Sequence, residues 1–319
     1  MTKTILVTGG AGFIGSHLCD RLVNREDSVI CLDNLLTGSQ KNIVHLLSKN
    51  NFFFVNQDVC KPFKSRRFDK IDQIYHLASP ADPNANSPFS YMTYPFETMQ
   101  ANTIGTWNMC ELALKYGAKL AFASTSEVYG DPQVSPQDET YRGNVSTTGP
   151  RSVYDESKRF GETIVSAFVR ERGLDGRITR IFNTYGPRMN LDEGRAVVNF
   201  IKLALTDKPI TVYGNGRQTR SFCYIDDQIA GQILAIEKGK SGEVFNIGND
   251  DEITILEFAQ DIKKLTESKS KIVFEILPID DPQQRKPNII KAQNLLGWKP
   301  KVPLGEGLSK TIQYFKNIT

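Results

Sequence analysis

Cysteine and histidine are scarce in this chain, with five of the former and three of the latter among 319 residues. Cys19, Cys31, Cys60, Cys110 and Cys223 are odd in number and widely spread, and no two form a C-x-x-C pair. That argues against a disulfide scaffold and against a zinc site, so no metal is expected. Most of these cysteines stand in apolar runs, where a small buried hydrophobe is the default. No apolar stretch is long enough to span a bilayer. The chain runs directly into the strand-like Thr4-Ile5-Leu6-Val7, with no basic start, apolar core and cleavage site before it. The expectation is a reducing, cytoplasmic setting with no membrane contact and no room for an N-terminal stem. A strong excess of one charge is also missing. The net charge is +3, too small to make nucleic acid the main partner, though it suits a phosphate-bearing ligand. Internal repeats and low-complexity tracts are absent.

What is present is alternation. Short apolar runs at residues 3–8, 28–32, 51–55, 71–77, 119–123 and 177–182 read as strands. Helical patterns lie between them, notably at 13–24, 97–116 and 155–172. Strand–helix alternation at this spacing predicts an α/β fold with a doubly wound, Rossmann-type parallel sheet, which binds ligands at the carboxyl ends of its strands. After about residue 188 the pattern shifts to helices at 195–206, 226–238, 254–266 and 305–317, separated by short strands and loops rich in Gly and Pro. The expected division is a dinucleotide-binding domain over 1–188, rejoined by about 224–248, and a smaller substrate-binding lobe over 189–319.

The run Thr8-Gly9-Gly10-Ala11-Gly12-Phe13-Ile14-Gly15 follows the first strand and opens a helix. Gly10, Gly12 and Gly15 fit G-x-G-x-x-G, and Gly9, Gly12 and Gly15 fit G-x-x-G-x-x-G. Glycines let the backbone approach a pyrophosphate, and the helix N-terminus offers it free N–H groups. Alone the motif is weak; its strand–turn–helix setting strengthens it. Asp33 ends the second strand, 18 positions past Gly15. A carboxylate there accepts hydrogen bonds from ribose hydroxyls and repels a 2′-phosphate, favouring NAD over NADP; otherwise it is a turn residue before Asn34. Asp58 ends the third strand, either near the adenine or as a solvated carboxylate.

Tyr154 and Lys158, at i and i+4, face one side of a helix. A lysine ammonium beside a tyrosine and an oxidised nicotinamide lowers the phenol pKa, making the tyrosine a base for a sugar hydroxyl. Such a pair often arises by chance on a helix surface. Ser124-Thr125-Ser126-Glu127, just past the strand at 119–123, sharpens it by placing a hydroxyl at the active end of the sheet.

Together these features resemble the extended short-chain dehydrogenase/reductase family, and within it the enzymes that decarboxylate a nucleotide-linked uronic acid. Further stretches carry that resemblance: Asp33 to Gly38 (DNLLTG), His76 to Pro80 (HLASP), Ser124 to Gly130 (STSEVYG) and Arg180 to Met189 (RIFNTYGPRM). Gln218-Thr219-Arg220, Asp280 to Pro287 (DDPQQRKP) and Leu296-Gly297-Trp298 continue it, so the likeness runs from about residue 3 to the C-terminus. The resemblance implies that Gly9, Gly12, Phe13, Ile14, Gly15 and Asp33 surround the dinucleotide. Asn34, Leu36, Thr37 and Gly38 would join them, as would Asp58, Val59, Leu77, Ser79 and Thr184. It gives the redox step to Thr125, Tyr154 and Lys158, the last two also touching the cofactor, and the reacting end of the sugar to Glu127 and Arg285. Asn183, Arg188, Arg195 and Arg220 would hold the nucleotide sugar or its phosphates, with Arg285 near the substrate carboxylate. Without the resemblance, Arg195 and Arg285 read as solvated surface charges.

The implied activity is NAD-dependent, redox-neutral decarboxylation of UDP-glucuronate to UDP-xylose through a 4-keto intermediate. The implied assembly is a homodimer paired through a four-helix bundle of 97–116 and 155–172. The chain departs from the family at Gln100-Ala101, at Ser157 before the lysine, and in a longer segment over 64–70. Two related chemistries compete. A 4,6-dehydratase usually has an Asp-Glu pair where this chain has Ser126-Glu127, and a 4-epimerase needs no Glu there. A non-catalytic Rossmann protein used for NAD sensing or RNA binding is the alternative from another class; the complete Thr125, Tyr154 and Lys158 set opposes it.

Overall fold

The computed structural model describes residues 2–64, 67–276 and 284–318. The first part of the chain supplies strands β1 (Thr4–Thr8), β2 (Ser28–Asp33), β3 (Phe52–Asn56), β4 (Gln73–His76), β5 (Lys119–Thr125) and β6 (Gly176–Ile181). Between them lie helices α1 (Phe13–Val23), α2 (Pro95–Gln100), α3 (Thr106–Tyr116) and α4 (Ser152–Arg172). Beyond β6 come short strands β7 (Thr184–Tyr185), β8 (Ile210–Tyr213), β9 (Thr219–Ser221) and β10 (Cys223–Tyr224), then β11 (Val244–Ile247), β12 (Glu252–Thr254), β13 (Ile272–Glu275) and β14 (Gln284–Arg285). Their helices are α5 (Ala196–Leu205), α6 (Ile225–Lys238), α7 (Ile255–Thr266), α8 (Ile290–Leu296) and α9 (Leu304–Lys316).

Seven strands form one parallel sheet in the order β11-β6-β5-β4-β1-β2-β3. Ile5, Leu6 and Val7 of β1 are fully buried, as a central strand covered by helices on both faces requires. The strand order reverses between β1 and β4, and the gap this opens at their carboxyl ends is where such sheets bind ligands. The Rossmann-type expectation is met. Past β6 the chain leaves the sheet and then comes back: α6 packs against α1, β5 and β6, and β11 pairs with β6. Outside the sheet, α5, α7 and α9 pack together, β8 pairs with β13, and β9 is flanked by β12 and β14. The parallel register of β14 on β9 sets Arg285 beside Arg220.

The helix expected over 97–116 is interrupted. A π-helical turn, Ala101–Gly105, separates α2 from α3. The turn packs on α4, where Asn102 donates to the Ser157 hydroxyl (3.0 Å), and one turn along the same helix the Thr106 hydroxyl donates to the Asn102 carbonyl (2.7 Å). A Cβ at Gly161 of α4 would lie 2.9 Å from that same carbonyl oxygen. The helix α8, ending at the left-handed Gly297, was not anticipated. The cysteines are free, and all but the half-buried Cys60 are buried, as their apolar settings predict. No helix among the described residues is long and apolar enough to cross a membrane.

Candidate active site

A cleft of about 1380 Å³ opens over the carboxyl ends of β1, β2, β4 and β5 and reaches into the smaller lobe. At one end the glycine turn sets its floor. Gly9 takes a left-handed backbone (φ +68°), and a Cβ there would fall 2.8 Å from the Ala78 nitrogen. A Cβ at Gly15 would fall 2.1 Å from the Gly9 carbonyl oxygen, so α1 can approach the turn only without a side chain. Gly9, Gly12 and Gly15 line the cleft, which selects the second of the two glycine registers. No side chain caps α1, and its first turn holds no acidic residue. Its free N–H groups are therefore open to an anion.

Asp33, at the end of β2, is buried. Its carboxylate accepts the N–H of Ala11 (3.0 Å) and of Leu35 (2.8 Å). Burial raises its pKa and these two donors pull it back. Each oxygen keeps a free lone pair for a ribose hydroxyl. Gly38 closes over it so tightly that a Cβ would lie 2.9 Å from one carboxylate oxygen. Phe13, Ile14, Asn34, Leu36 and Thr37 line this end, as do Asp58, Val59, Leu77, Ser79 and Thr184. The cradle, the open helix end and the buried carboxylate fit a dinucleotide.

At the other end β5 delivers the catalytic candidates. Side chains alternate along a strand, so Ser124 points to Glu162 (2.6 Å) while Thr125 turns into the cleft. Thr125 accepts the Glu127 N–H (3.2 Å) and stands against the Tyr154 hydroxyl. Burial pushes the Tyr154 phenol up to about 12, with Thr125 pulling the other way. Lys158, one turn further along α4, is buried too; burial drives its pKa down to about 7, and its amine donates to the Ala123 carbonyl (2.7 Å). The groups acting most on Tyr154 are Thr125, Glu127, Arg195 and Asp155.

Glu127 is bracketed. One carboxylate oxygen takes Arg285, and the other takes Arg151 at 2.7 Å. Burial alone would raise its pKa, but the guanidiniums of Arg285 and Arg151 outweigh it and hold the group at about 2. Arg285 also donates to the Gly130 carbonyl (3.3 Å), and its Nε is buried with no partner among the described residues. Asp155 lies next to this cluster, its pKa pushed up to about 7 by burial and by Glu127. A second cluster closes the lobe side. Arg195 donates to the Ala81 carbonyl (3.2 Å) and pairs with Glu193 (3.6 Å), whose carboxyl burial raises to about 7. Asn183 and Arg220 line the same wall, and the Asn183 amide reaches the Ser221 carbonyl (3.4 Å).

Arg188 is the exception among the expected site residues. Its backbone is left-handed (φ +68°), and its side chain turns away from the cleft to Asp20 of α1 (2.6 Å). Part of the motif Asp280 to Pro287 lies outside the described residues, as do positions 65 and 66 of the long segment over 64–70. Sequence reasoning missed Arg151, Tyr91, Glu193 and Asp155. Arg151 had a usable signal: it sits one turn before Asp155 and three residues before Tyr154, where a buried Glu127 needs a second cation.

Residues 5–248 match the NAD dependent epimerase/dehydratase family. The chain belongs to that family. It is 51% identical over 313 residues to UDP-glucuronic acid decarboxylase 1 of Danio rerio, covering 98% of this chain and 72% of the relative. It is 49% identical over 305 residues to UDP-glucuronic acid decarboxylase 6 of Arabidopsis thaliana, covering 95% and 86%. Among solved structures, UDP-glucuronic acid 4-epimerase from Bacillus cereus, in complex with UDP-glucuronic acid and NAD, is similar with a TM-score of 0.87 at 32% identity, covering 99% of this chain and all of that one (100%).

Proposed function

We propose that this chain is an NAD-dependent lyase that decarboxylates UDP-glucuronate to UDP-xylose. The observation that carries the reading is Glu127, fixed between Arg285 and Arg151 immediately beside the Thr125, Tyr154 and Lys158 set. The similarity to the decarboxylases of Danio rerio and Arabidopsis thaliana supports it. Bound NAD supplies the acceptor and later the donor of the hydride at carbon 4, and a positive charge near the phenol.

The chain's own groups do the rest. A positive charge nearby lets the Tyr154 phenol, protonated in the protein alone, give up its own proton to solvent; the phenolate then removes the proton of the carbon-4 hydroxyl, and Thr125 shares that proton. The resulting ketone is β to the carboxylate, so carbon dioxide leaves with the electrons of the broken carbon–carbon bond flowing into an enolate; carbon 5 then takes a proton, and Tyr154 returns a proton to the carbon-4 oxygen as hydride comes back to carbon 4. Arg285, whose buried Nε has no partner among the described residues, meets the uronate carboxylate through that charge-assisted donor. Glu127, ionised across the working pH range, holds both guanidiniums in place. Arg195, Arg220 and Asn183 take the nucleotide-sugar diphosphate. Ser126 stands where a dehydratase would need an acid for the leaving hydroxyl.

The same reading assigns 1–188 with about 224–248 to the dinucleotide and 189–319 to the nucleotide sugar. It includes a homodimer, supported by the exposed Phe96, Ile104 and Trp107 on one side and Phe160 on α4. A reducing, cytoplasmic setting without nucleic acid or membrane as partner completes it, supported by the free thiols and the small net charge. Incubation with NAD and UDP-glucuronate tests the function directly: carbon dioxide and UDP-xylose should form in equal amounts. Turnover of a neutral nucleotide-hexose, with no carbon dioxide from UDP-glucuronate, would overturn the reading in favour of the dehydratase or epimerase.

A further inference from the structure

We propose that Tyr91 is a positioning residue for Tyr154, fixing the plane of the catalytic phenol by stacking ring on ring. The inference rests on Tyr154 being the base of the reaction above. The two rings lie 4.8 Å apart between centroids and 8° from parallel. Tyr154 is the third residue of α4, where two side-chain torsions decide where its hydroxyl points. Contact with Thr125 constrains the tip of the side chain but leaves the ring free to tilt. A flat, buried partner across one face removes that freedom, and aromatic pairs attract beyond the area they bury.

Tyr91 is itself held from several sides. It is 1% exposed, and its N–H donates to the Asp82 carbonyl (3.1 Å). That carbonyl also accepts the Ser90 hydroxyl (3.1 Å), and the Ser90 hydroxyl accepts the Met92 N–H (3.0 Å). The Asp82 carboxylate in turn accepts the N–H of Asn84 (3.0 Å) and of Gly194 (3.4 Å), next to Arg195. The platform under Tyr154 is therefore anchored to the lobe that faces the sugar. The Tyr91 hydroxyl, by contrast, is buried with no partner among the described residues. The ring is the working part, and phenylalanine should replace it.

The test is a double-mutant cycle read in single-turnover and steady-state assays with NAD and UDP-glucuronate, following NADH and carbon dioxide. Tyr91→Leu should lower kcat by roughly tenfold to a hundredfold, the scale on which small misplacements of a reacting group act, while KM and NAD affinity change less than about threefold. Tyr91→Phe should keep kcat within about threefold of the unaltered chain and keep its Tm. Tyr91→Leu added to Tyr154→Phe should cost nothing further, because a group that acts through the phenol hydroxyl is silent once that hydroxyl is gone. A Leu variant with full kcat overturns the inference. So does a Phe variant as slow as the Leu variant, or a cycle in which the two losses simply multiply. If the unaltered chain releases no carbon dioxide, the functional reading fails and takes this inference with it; if it does and Tyr91→Leu matches it, this inference alone fails.

Discussion

The two ends of the cleft are built by different means. At the dinucleotide end the ligand-facing surface is largely backbone: the turn from Gly9 to Gly15, the open N-terminus of α1, and N–H groups that aim Asp33. At the sugar end it is made of side chains from separate segments, and they hold one another by charge: Glu127 with Arg285 and Arg151, and Glu193 with Arg195. A backbone cradle is fixed once one strand–turn–helix unit folds and titrates with nothing. A cluster of reciprocal charges exists only when distant segments have met, and losing one member leaves its partner buried and uncompensated. The first end is therefore sensitive chiefly to a side chain added at its glycines, and the second to the loss of any one charge.

The widest separation of the two ends should come from Tyr154→Phe. Turnover should fall at least ~10²-fold, the scale of general acid–base catalysis, while NAD affinity measured by calorimetry stays near that of the unaltered chain. A parallel loss of NAD binding would show that the two ends are not independent. Glu127→Gln and Arg285→Ala probe the sugar end more finely. If both residues act after the sugar is oxidised, each variant should still form bound NADH, seen by absorbance, yet release carbon dioxide about tenfold more slowly, equivalent to ~1.4 kcal/mol on the barrier. Normal carbon dioxide release from both would remove their assigned roles.

The dinucleotide end is tested by Asp33→Ser. The unaltered chain should bind NAD much more tightly than NADP, and this variant should narrow the gap by removing the repulsion of a 2′-phosphate. Equal binding of both by the unaltered chain would sink the assignment. The smallest effect concerns pH. Burial, followed by Glu127, raises Asp155 to about 7 from its usual 3.8. A carboxyl with a raised pKa contributes stability that is complete below its unfolded value and lost as pH rises through the folded one. Asp155→Asn should therefore raise Tm by about 1–2 °C at pH 8, the size expected of ~1 kcal/mol in a chain this large. The gain should shrink as pH falls and vanish only below the carboxyl's usual value of 3.8. An equal gain at both ends of that range would point to packing rather than charge.

The same contrast explains what could be read from the sequence. The glycine turn, Asp33 and the strand–helix alternation depend on neighbours within a few dozen residues, so spacing alone exposes them. Thr125 could be joined to Tyr154 and Lys158, 29 positions from Thr125 to Tyr154, because the strand end puts a hydroxyl at the ligand-binding edge of the sheet, and the resemblance then strengthened the set. Arg285 was legible only through the same resemblance, since its burial depends on β14 pairing with β9. Tyr91 left no trace, because a stack between a loop and a helix has no sequence period. Arg188 went astray for a local reason: one left-handed residue turned its side chain to α1. The π-helical turn has no sequence signal of its own, and the side chain it packs against, Ser157, lies 55 residues beyond Asn102.

The return of the chain through α6 and β11 also bears on how the protein comes off the ribosome. Until residue 247 has emerged, β6 is the last strand of the sheet, with one row of N–H and C=O groups unpaired. Those groups are later met by contacts such as Gly242 N–H to Gly176 O (2.7 Å) and Ile178 N–H to Glu243 O (3.0 Å). The buried guanidinium of Arg177 likewise waits for the Gly239 carbonyl (2.9 Å). An open strand edge is a template for pairing with other chains, and nascent intermediates that carry one are prone to aggregate. The nascent chain thus carries this hazard across some sixty residues of synthesis, from 188 to 247, and a fragment cut at residue 188 would carry it permanently.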